Sequence, residues 1–370
     1  MNKKPEIIAF YLPQYHPTPH NNKWWGEGFT EWTNVAKAKP LFPGHYQPKI
    51  PADLGFYDLR MAEVRAKQVE LAKEAGVTGF CYYHYWFGNG EQELELPFNE
   101  VVKSGEPNFP FCLCWANETW GRKMWNKDGA VIGQEILAEQ KYPGEQDDIM
   151  HFNSLLPAFK DKRYIKIDGK PLFMIYRPFA FDEVSRFIKL WNTLAKENGL
   201  DGFYFVGYSL FANQEYDYLK RLGFDAIVSC RLDRNVKHDL GWAIRKLISV
   251  FFHTPRRIEY KKIIPTFTNE FDKKDDVFPT MIPNWDHTPR SGVNGDLFTN
   301  STPDLFELHA SQILSNIIDK PLNRQICFIK SWNEWGEGNY MEPDLKYGRG
   351  YIRALANVIK KIYGVTANQC

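Results

Sequence analysis

The chain has 370 residues, of which 44% are hydrophobic and 25% charged, a composition typical of folded globular proteins. Its formal net charge of +1 excludes the strongly basic character of nucleic-acid-binding domains, so no nucleic-acid partner is expected. No run approaches the roughly 20 apolar residues of a membrane span. No signal-peptide pattern follows Met1, so we expect a cytoplasmic location.

Eight short apolar runs recur along the chain and predict strands that are buried on both faces, as in a parallel sheet. They are Ile7–Tyr15, Thr78–Trp86, Phe109–Ala116, Leu172–Arg177, Gly202–Tyr208, Ala226–Arg231, Val277–Pro283 and Gln325–Trp332. Helical patterns lie between most of them, at 61–76, 181–199, 302–319 and 348–364. This alternation predicts a (β/α)8 TIM barrel with long loop insertions, as a single catalytic domain over 1–370. A doubly wound open sheet is the alternative.

Two long segments interrupt the alternation, residues 16–60 and an insertion at about 233–275. The second contains a basic amphipathic pattern over 241–253, in which Arg245 and Lys246 lie opposite an apolar stripe. A helix of this kind could make peripheral contact with an anionic membrane, or it could pack on the domain with its charges in solvent.

Aromatic residues make up 16% of the chain, and many of them stand beside polar residues. Such rings suit sugars, although a large core with Tyr and Trp at its edges explains the enrichment equally well. The cysteines follow a different pattern, because five of the six fall in apolar strand-like runs. This indicates buried reduced thiols at Cys81, Cys112, Cys114, Cys230 and Cys327.

Polar and aromatic side chains follow nearly every predicted strand. Because a TIM barrel builds its active site at the C-terminal ends of its strands, these side chains are expected to meet. Seven strand ends of this type together indicate a carbohydrate-binding pocket. The predicted substrate-binding residues are Tyr11, Tyr15, His16, Tyr83, His84, Trp86, Trp115, Asn117, Glu118, Tyr176, Arg177, Tyr208, Trp285, Asp286, Asn333 and Trp335.

Two carboxylates, Glu334 and Glu337, stand three residues apart in SWNEWGEGNY, after the eighth run. Side chains alternate along a strand, so both reach one pocket only if the strand breaks, which Gly336 and Gly338 permit. Paired carboxylates cleave glycosidic bonds with retention at ~5–5.5 Å separation and with inversion at ~6.5–9.5 Å. We predict that this pair is catalytic. Glu118 is a second candidate carboxylate, with a structural role as its alternative.

Other chemistries lack their motifs. The sequence has no Walker motif, no complete G-x-G-x-x-G, no H-E-x-x-H, no paired C-x-x-C and no G-x-S-x-G. We therefore expect neither a metal nor a cofactor. The sequence also lacks a D-x-D pair, which counts against a metal-dependent nucleotide-sugar transferase.

Five ordered motifs resemble the WbsX family, described as glycosyltransferases of O-antigen and capsule gene clusters. That family is related to the family 99 glycoside hydrolases, the endo-α-mannosidase group. The motifs are FYLPQYHP (10–17), WWGEGFTEWTNV (24–35), GFCYYHYWF (79–87), CWANETW (114–120) and WNEWGEGNYMEPD (332–344). The resemblance spans residues 6 to 361, approximately, and implies a (β/α)8 barrel and retaining chemistry at an α-mannoside-like linkage.

The resemblance also implies roles for the two glutamates. The hydrolases carry a Glu-Trp-x-Glu-Gly motif that aligns with Glu334, Trp335, Glu337 and Gly338. By this resemblance Glu334 is a base on the sugar 2-hydroxyl, giving a 1,2-anhydro sugar intermediate, and Glu337 is the acid/base at the leaving group. The hydrolases usually have His where this chain has Gly336, so a contact with the substrate or the acid is expected to differ.

Three functions remain open at this point. The first is a retaining glycosidase or transglycosidase that acts on a bacterial surface polysaccharide. The second is a glycosyltransferase of O-antigen or capsular polysaccharide biosynthesis, with an oligosaccharide or lipid-linked glycan as its substrate. The third is a non-catalytic glycan-binding barrel.

Overall fold

The computed structural model describes residues 4–125, 131–232 and 254–364. Within these residues, eight parallel strands pair in chain order, and the last pairs with the first to close a barrel. The strands are β1 Glu6–Tyr11, β2 Gly79–Gly88, β3 Phe111–Trp115, β4 Lys170–Ile175, β5 Tyr204–Ser209, β6 Ala226–Ser229, β7 Val277–Met281 and β8 Ile326–Ile329. The predicted (β/α)8 barrel is confirmed.

Aromatic side chains fill the interior of the barrel. The ring of Phe10 on β1 lies 5.4 Å from Tyr83 on β2, 5.4 Å from Phe328 on β8 and 6.0 Å from Tyr208 on β5. Because helices cover the outside, both faces of each strand are buried, and this explains the nearly continuous apolar runs in the sequence. The filled interior leaves the strand ends as the place for a ligand.

The described residues contain eleven α-helices. They are α1 Pro19–Trp25, α2 Glu31–Lys37, α3 Ala62–Ala75, α4 Leu96–Ser104, α5 Glu145–Phe159, α6 Val184–Glu197, α7 Ala212–Leu222, α8 Tyr260–Ile263, α9 Thr288–Ser291, α10 Pro303–Ile317 and α11 Gly350–Tyr363. The four helical patterns in the sequence are confirmed as α3, α6, α10 and α11. Thr302 caps α10 by accepting a hydrogen bond from the backbone N–H of Leu305.

Smaller strands and 3-10 turns decorate the barrel. Glu91–Glu93 pairs with β2, Lys166–Ile167 with β4, Trp120–Trp125 with Val131–Ala138, Arg256–Glu259 with Asp296–Thr299, and Asn333–Glu334 with Asn339–Tyr340. The 3-10 turns are Ile264–Thr266, Glu270–Lys273, Gly292–Asn294, Leu322–Arg324 and Trp335–Glu337.

The first strand ends at Tyr11 and not at the predicted Tyr15. Pro13 has no backbone N–H and therefore cannot continue the ladder. The side chain of Asn333 takes over the pairing at Leu12, accepting from its N–H at 2.8 Å and donating to its C=O at 3.0 Å. The loop after β1 is thereby fixed to the segment after β8.

The long segments have different outcomes. Residues 16–60 carry α1 and α2, and α2 packs against α9 and the Trp335–Glu337 turn. The predicted amphipathic helix at 241–253 lies outside the described residues, as does Cys370. The other five cysteines are buried free thiols, as predicted. Among the described helices, none combines the length and apolarity that a membrane crossing requires.

Candidate active site

A cleft of about 810 Å³ opens at the C-terminal ends of the strands, where a TIM barrel places its active site. Its size falls within the range of roughly 300–1,000 Å³ that small-ligand sites occupy. Its lining residues come from the ends of five strands and from α1, α2 and α9. They include Leu12, Trp24, Trp25, Phe29, Glu31, Tyr83, Tyr85, Glu118, Trp120, Tyr176, His287, Arg290, Lys330, Glu334 and Glu337.

The chain after β8 brings both glutamates into this cleft. Glu334 lies in a two-residue strand, and the Trp335–Glu337 turn follows it directly. Gly338 then adopts a left-handed conformation with φ of 52°, which reverses the chain. The predicted break in strand alternation therefore occurs, and both side chains reach the cleft.

One arginine on α9 binds both carboxylates. Arg290 donates from Nη2 to Glu334 Oε1 at 2.6 Å and from Nη1 to Glu337 Oε1 at 2.8 Å. Because a guanidinium is a rigid planar fork, these contacts hold the two Oε1 atoms within roughly 8 Å of each other. Nε of the same arginine donates to Glu31 Oε2 at 3.0 Å, so three carboxylates share one guanidinium.

Two further basic side chains lie near Glu337. His287 Nε2 is 3.7 Å from Glu337 Oε1. Lys330 is 5% exposed and lines the cleft, with Nζ 3.5 Å from the hydroxyl of Tyr83. Burial alone would lower the pKa of Lys330, but Tyr176 and Glu337 raise it above its ordinary value, so the amine stays protonated.

The two glutamates differ in proton affinity. Burial, together with the charge of Glu337, raises the pKa of Glu334 to about 7 against the opposing effect of Arg290. Burial acts on Glu337 as well, but Arg290, Lys330 and His287 together hold its pKa below the ordinary value. Near neutral pH the cleft therefore contains an ionised Glu337 beside a Glu334 that readily takes up or releases a proton.

Several predicted residues do meet in the cleft. Tyr83, Glu118 and Tyr176 line it together with Glu334 and Glu337. Arg177 forms an ion pair with Glu118. The other predicted substrate-binding residues do not line the cleft. These are Tyr11, Tyr15, His16, His84, Trp86, Trp115, Asn117, Tyr208, Trp285, Asp286, Asn333 and Trp335.

Asp286 shows why its predicted contact with substrate needs correction. Its Oδ2 accepts from His45 at 2.9 Å and Gln47 at 2.7 Å, and its Oδ1 accepts from the hydroxyl of Thr288 at 2.6 Å. Against the effect of burial, His45 and Lys49 hold the pKa of Asp286 at about 2. With both oxygens occupied, this carboxylate anchors the segment that leads into α9.

Trp335 is likewise fully buried. Its ring stacks on Tyr340 at 3.8 Å, its Nε1 donates to Glu342 Oε2 at 2.6 Å, and its backbone N–H donates to the hydroxyl of Tyr15 at 2.9 Å. Trp335 and Tyr15 therefore position the neighbouring Glu334, and neither lines the cleft.

A buried layer next to β2 and β3 contains three more predicted residues. His84 Nε2 lies 2.8 Å from His151 Nε2, and the ring of Trp86 stacks on His151 at 4.6 Å. Trp115 donates to the backbone carbonyl of Trp86 at 3.0 Å. Burial lowers the pKa of His84 to about 3, so it stays neutral within this packing.

Four residues of the cleft were not predicted from the sequence: Glu31, Arg290, Lys330 and His287. Glu31 stands inside the motif WWGEGFTEWTNV, and Lys330 directly precedes SWNEWGEGNY. Arg290 and His287 follow the end of β7 within a few residues of Asp286. These residues lie in or near motifs that the sequence does show. Their grouping could not be predicted, because the contact of Arg290 with Glu31 joins positions 259 residues apart.

The sequence has relatives over nearly its whole length. A sequence model of the glycosyltransferase WbsX family matches residues 7–355. Proteins named WxcX, described as uncharacterized, from two strains of Xanthomonas campestris pv. campestris are 32% identical over 365 residues. The match covers 98% of this chain and 51% of the relatives, so the chain spans about half their length.

Solved structures with the same fold are more distant in sequence. The GH99 endo-α-mannosidase from Bacteroides thetaiotaomicron has a TM-score of 0.57 and 15% identity, and 99% of each chain is covered. A structure described as a glycoside hydrolase-like protein has a TM-score of 0.58 and 14% identity, covering 96% of this chain and 94% of the other. These similarities concern the barrel fold. Because the family model matches most of the sequence, the chain belongs to the WbsX glycosyltransferase family.

Proposed function

We propose that the chain is a carbohydrate-active enzyme that acts on an α-mannoside-like linkage of a bacterial surface polysaccharide. In this proposal it retains the anomeric configuration, and Glu334 and Glu337 are its catalytic pair. One observation carries the proposal. Two carboxylates bind the same guanidinium in a cleft at the C-terminal end of the barrel, and the pKa of one is raised while that of the other is lowered. Membership of the WbsX family supports a glycan as the substrate.

The proposed reaction has two steps. The first step starts from the form of the site in which Glu334 is ionised and Glu337 carries a proton. Because the pKa of Glu334 is raised and that of Glu337 is lowered, this form requires the proton of the pair to move from Glu334 to Glu337. Glu334 then removes the proton of the sugar 2-hydroxyl, whose oxygen attacks C1 while the bond from C1 to the leaving oxygen breaks and Glu337 gives its proton to that oxygen. Glu337 then takes a proton from water or an acceptor hydroxyl, which opens the 1,2-anhydro ring at C1, and Glu334 returns its proton to O2. Each step inverts C1, so the configuration is retained overall.

The geometry suits Glu334 as the base. A carboxylate with a raised pKa is a stronger base than an ordinary one, and at a pKa of about 7 its ionised form is still present near neutral pH. Arg290 binds only Oε1 of each glutamate, so the second oxygen of each is available for the substrate.

A glycosyltransferase with a phosphate-type leaving group is the second candidate, and the state of Glu337 favours it. A phosphate departs without a proton, so an ionised Glu337 does not hinder its departure. Arg290 and Lys330 supply positive charge near the place where that phosphate would leave, and His287 lies 3.7 Å from Glu337. Glu337 would then act only as the base on the acceptor hydroxyl.

Replacement of Glu337 by Gln tests the catalytic assignment. The wild-type protein is incubated with the surface polysaccharide of its source organism, and the products are identified by mass spectrometry. We expect Glu337→Gln to lower turnover by at least about 100-fold while glycan binding persists, because general acid–base catalysis contributes factors of this size. Glu63→Gln, on the exposed surface of α3, is the matched control and keeps the wild-type rate.

Full turnover by Glu337→Gln would contradict the assignment. Glycan binding by the wild type without turnover would instead identify a non-catalytic binding barrel. Calorimetry with uridine- and guanosine-diphosphate sugars separates the two enzymatic candidates. Binding that weakens in Lys330→Met favours the transferase, whereas polysaccharide cleavage without such binding favours the hydrolase.

A further inference from the structure

Glu31 is a third carboxylate in the cleft, and neither catalytic role uses it. It is the first residue of α2, and its side chain is 5% exposed. Its Oε2 accepts from Arg290 Nε at 3.0 Å, while Asn34 donates to its Oε1 at 3.4 Å. A buried carboxylate without such a cation would be costly, so Glu31 and Arg290 depend on each other.

Gly336 leaves the space that this carboxylate occupies. A Cβ added at Gly336 would stand 1.9 Å from Glu31 Oε2 and 3.0 Å from Arg290 Nε. The backbone does not require glycine here, because φ of Gly336 lies outside the left-handed region, in contrast to Gly338. The requirement for glycine at this position is therefore one of space: any side chain would displace Glu31.

The fork of Arg290 explains what the contact with Glu31 achieves. A guanidinium has five N–H groups in one plane, so fixing Nε also fixes the directions of both terminal nitrogens. Those nitrogens bind Glu334 and Glu337 at 2.6 and 2.8 Å. Without the contact at Nε, the guanidinium could rotate away from one or both of these carboxylates.

We propose that Glu31 and Gly336 form a positioning pair: the missing side chain at 336 admits the carboxylate of Glu31, which aims Arg290 at both catalytic glutamates. The pair rests on the proposed function, since it sets the protonation of the residues to which that function assigns the chemistry. Glu31 and Gly336 are positioning residues, because they act through Arg290.

A double-mutant cycle tests this pair. Gly336→Ala retains every charge of the cleft but displaces the carboxylate of Glu31. We expect Gly336→Ala to raise the pKa of Glu337 by about one unit, because an opposite charge in direct contact lowers a carboxyl pKa by 1–3 units. In a Glu31→Ala background the space is open, so adding Gly336→Ala changes the pKa of Glu337 no further. Carboxyl ¹³C NMR titration of the four proteins measures these values.

The outcomes are distinct. An unchanged pKa of Glu337 in Gly336→Ala would overturn the proposal, as would an equal shift in the Glu31→Ala background. If Gly336→Ala alone does not fold, the proposal predicts that the double variant Glu31→Ala/Gly336→Ala folds and is as stable as Glu31→Ala. A double variant that does not fold would overturn the proposal. The titration requires no turnover. An inactive wild type would therefore argue against the proposed function without deciding the positioning pair. Conversely, an unchanged pKa of Glu337 in Gly336→Ala would overturn the positioning pair but leave the catalytic assignment to the turnover experiment.

Discussion

Arg290 binds three carboxylates with one positive charge, and the surroundings of Glu334 and Glu337 determine how far the pKa of each is shifted. The side chain of Glu334 is 6% exposed and that of Glu337 is 18% exposed, so burial opposes ionisation more strongly at Glu334. Lys330 lowers the pKa of Glu337 in addition to Arg290, and His287 Nε2 lies 3.7 Å from Glu337 Oε1. Neighbouring carboxylates with divergent pKa values are characteristic of acid–base sites.

The free energy of unfolding of Glu334→Gln, compared with that of the wild type, should be higher at pH 8 than at pH 5. Because the pKa of Glu334 is raised to about 7 in the fold, the folded protein binds this proton more tightly than the unfolded chain. The contribution of that proton is complete at low pH and is lost as the pH rises through about 7. Between pH 5 and pH 8 the free energy of unfolding of Glu334→Gln, relative to wild type, should rise by about 1–3 kcal/mol.

Urea unfolding at both pH values measures this difference. The amide of Gln can still accept from Arg290, so the variant should fold. Glu63→Gln, exposed on α3, is the control for a general effect of removing one carboxylate. A Glu334→Gln difference that is the same at pH 5 and pH 8 would show that the pKa of Glu334 is not raised in the fold.

At the scale of elements, the loop after β1 and the segment after β8 act as one unit. Asn333 replaces a strand ladder at Leu12, where it satisfies both the N–H and the C=O. Leu12 lines the cleft, and Glu334 follows Asn333 directly, so this amide couples the two sides of the site. Its predicted role in substrate binding is corrected, because Asn333 is fully buried and its amide is bonded to Leu12.

Asn333→Ala should lower the free energy of unfolding by about 2 kcal/mol, because it leaves two buried backbone groups of Leu12 unpaired. Chemical denaturation measures the change. Asn323→Ala is the matched control, since Asn323 is exposed and its side-chain amide donates to Asp168, a carboxylate that Arg324 also binds. The control should change stability by less than about 0.5 kcal/mol. Equal effects of the two variants would contradict the bridging role of Asn333.

The strands could be predicted because their signal is local. Burial on both faces makes each strand a continuous apolar run, and eight such runs gave the barrel. The end of β1 was misplaced, since aromatic residues continue past Pro13 to Tyr15. The short helices α1 and α2 were missed because neither shows an apolar period over enough residues to stand out.

At the scale of the whole molecule, the site divides into a local part and a tertiary part. Glu334 and Glu337 were identifiable because both belong to one ten-residue stretch. Glu31 and Arg290 were not, because they join a loop after β1 to a loop after β7, and only barrel closure brings those loops together. The need for glycine at 336 is likewise visible only in the folded protein, because a Cβ there would occupy the space of the Glu31 carboxylate.

The hydrolase and transferase candidates share one claim, that two successive displacements occur at C1 with Glu334 and Glu337 as the catalytic pair. The anomeric configuration of the first-formed product, followed by ¹H NMR during turnover of the surface polysaccharide or a nucleotide-sugar donor, tests this claim most directly. Both candidates predict retention of configuration. A first product of inverted configuration would contradict it, because inversion requires a single displacement.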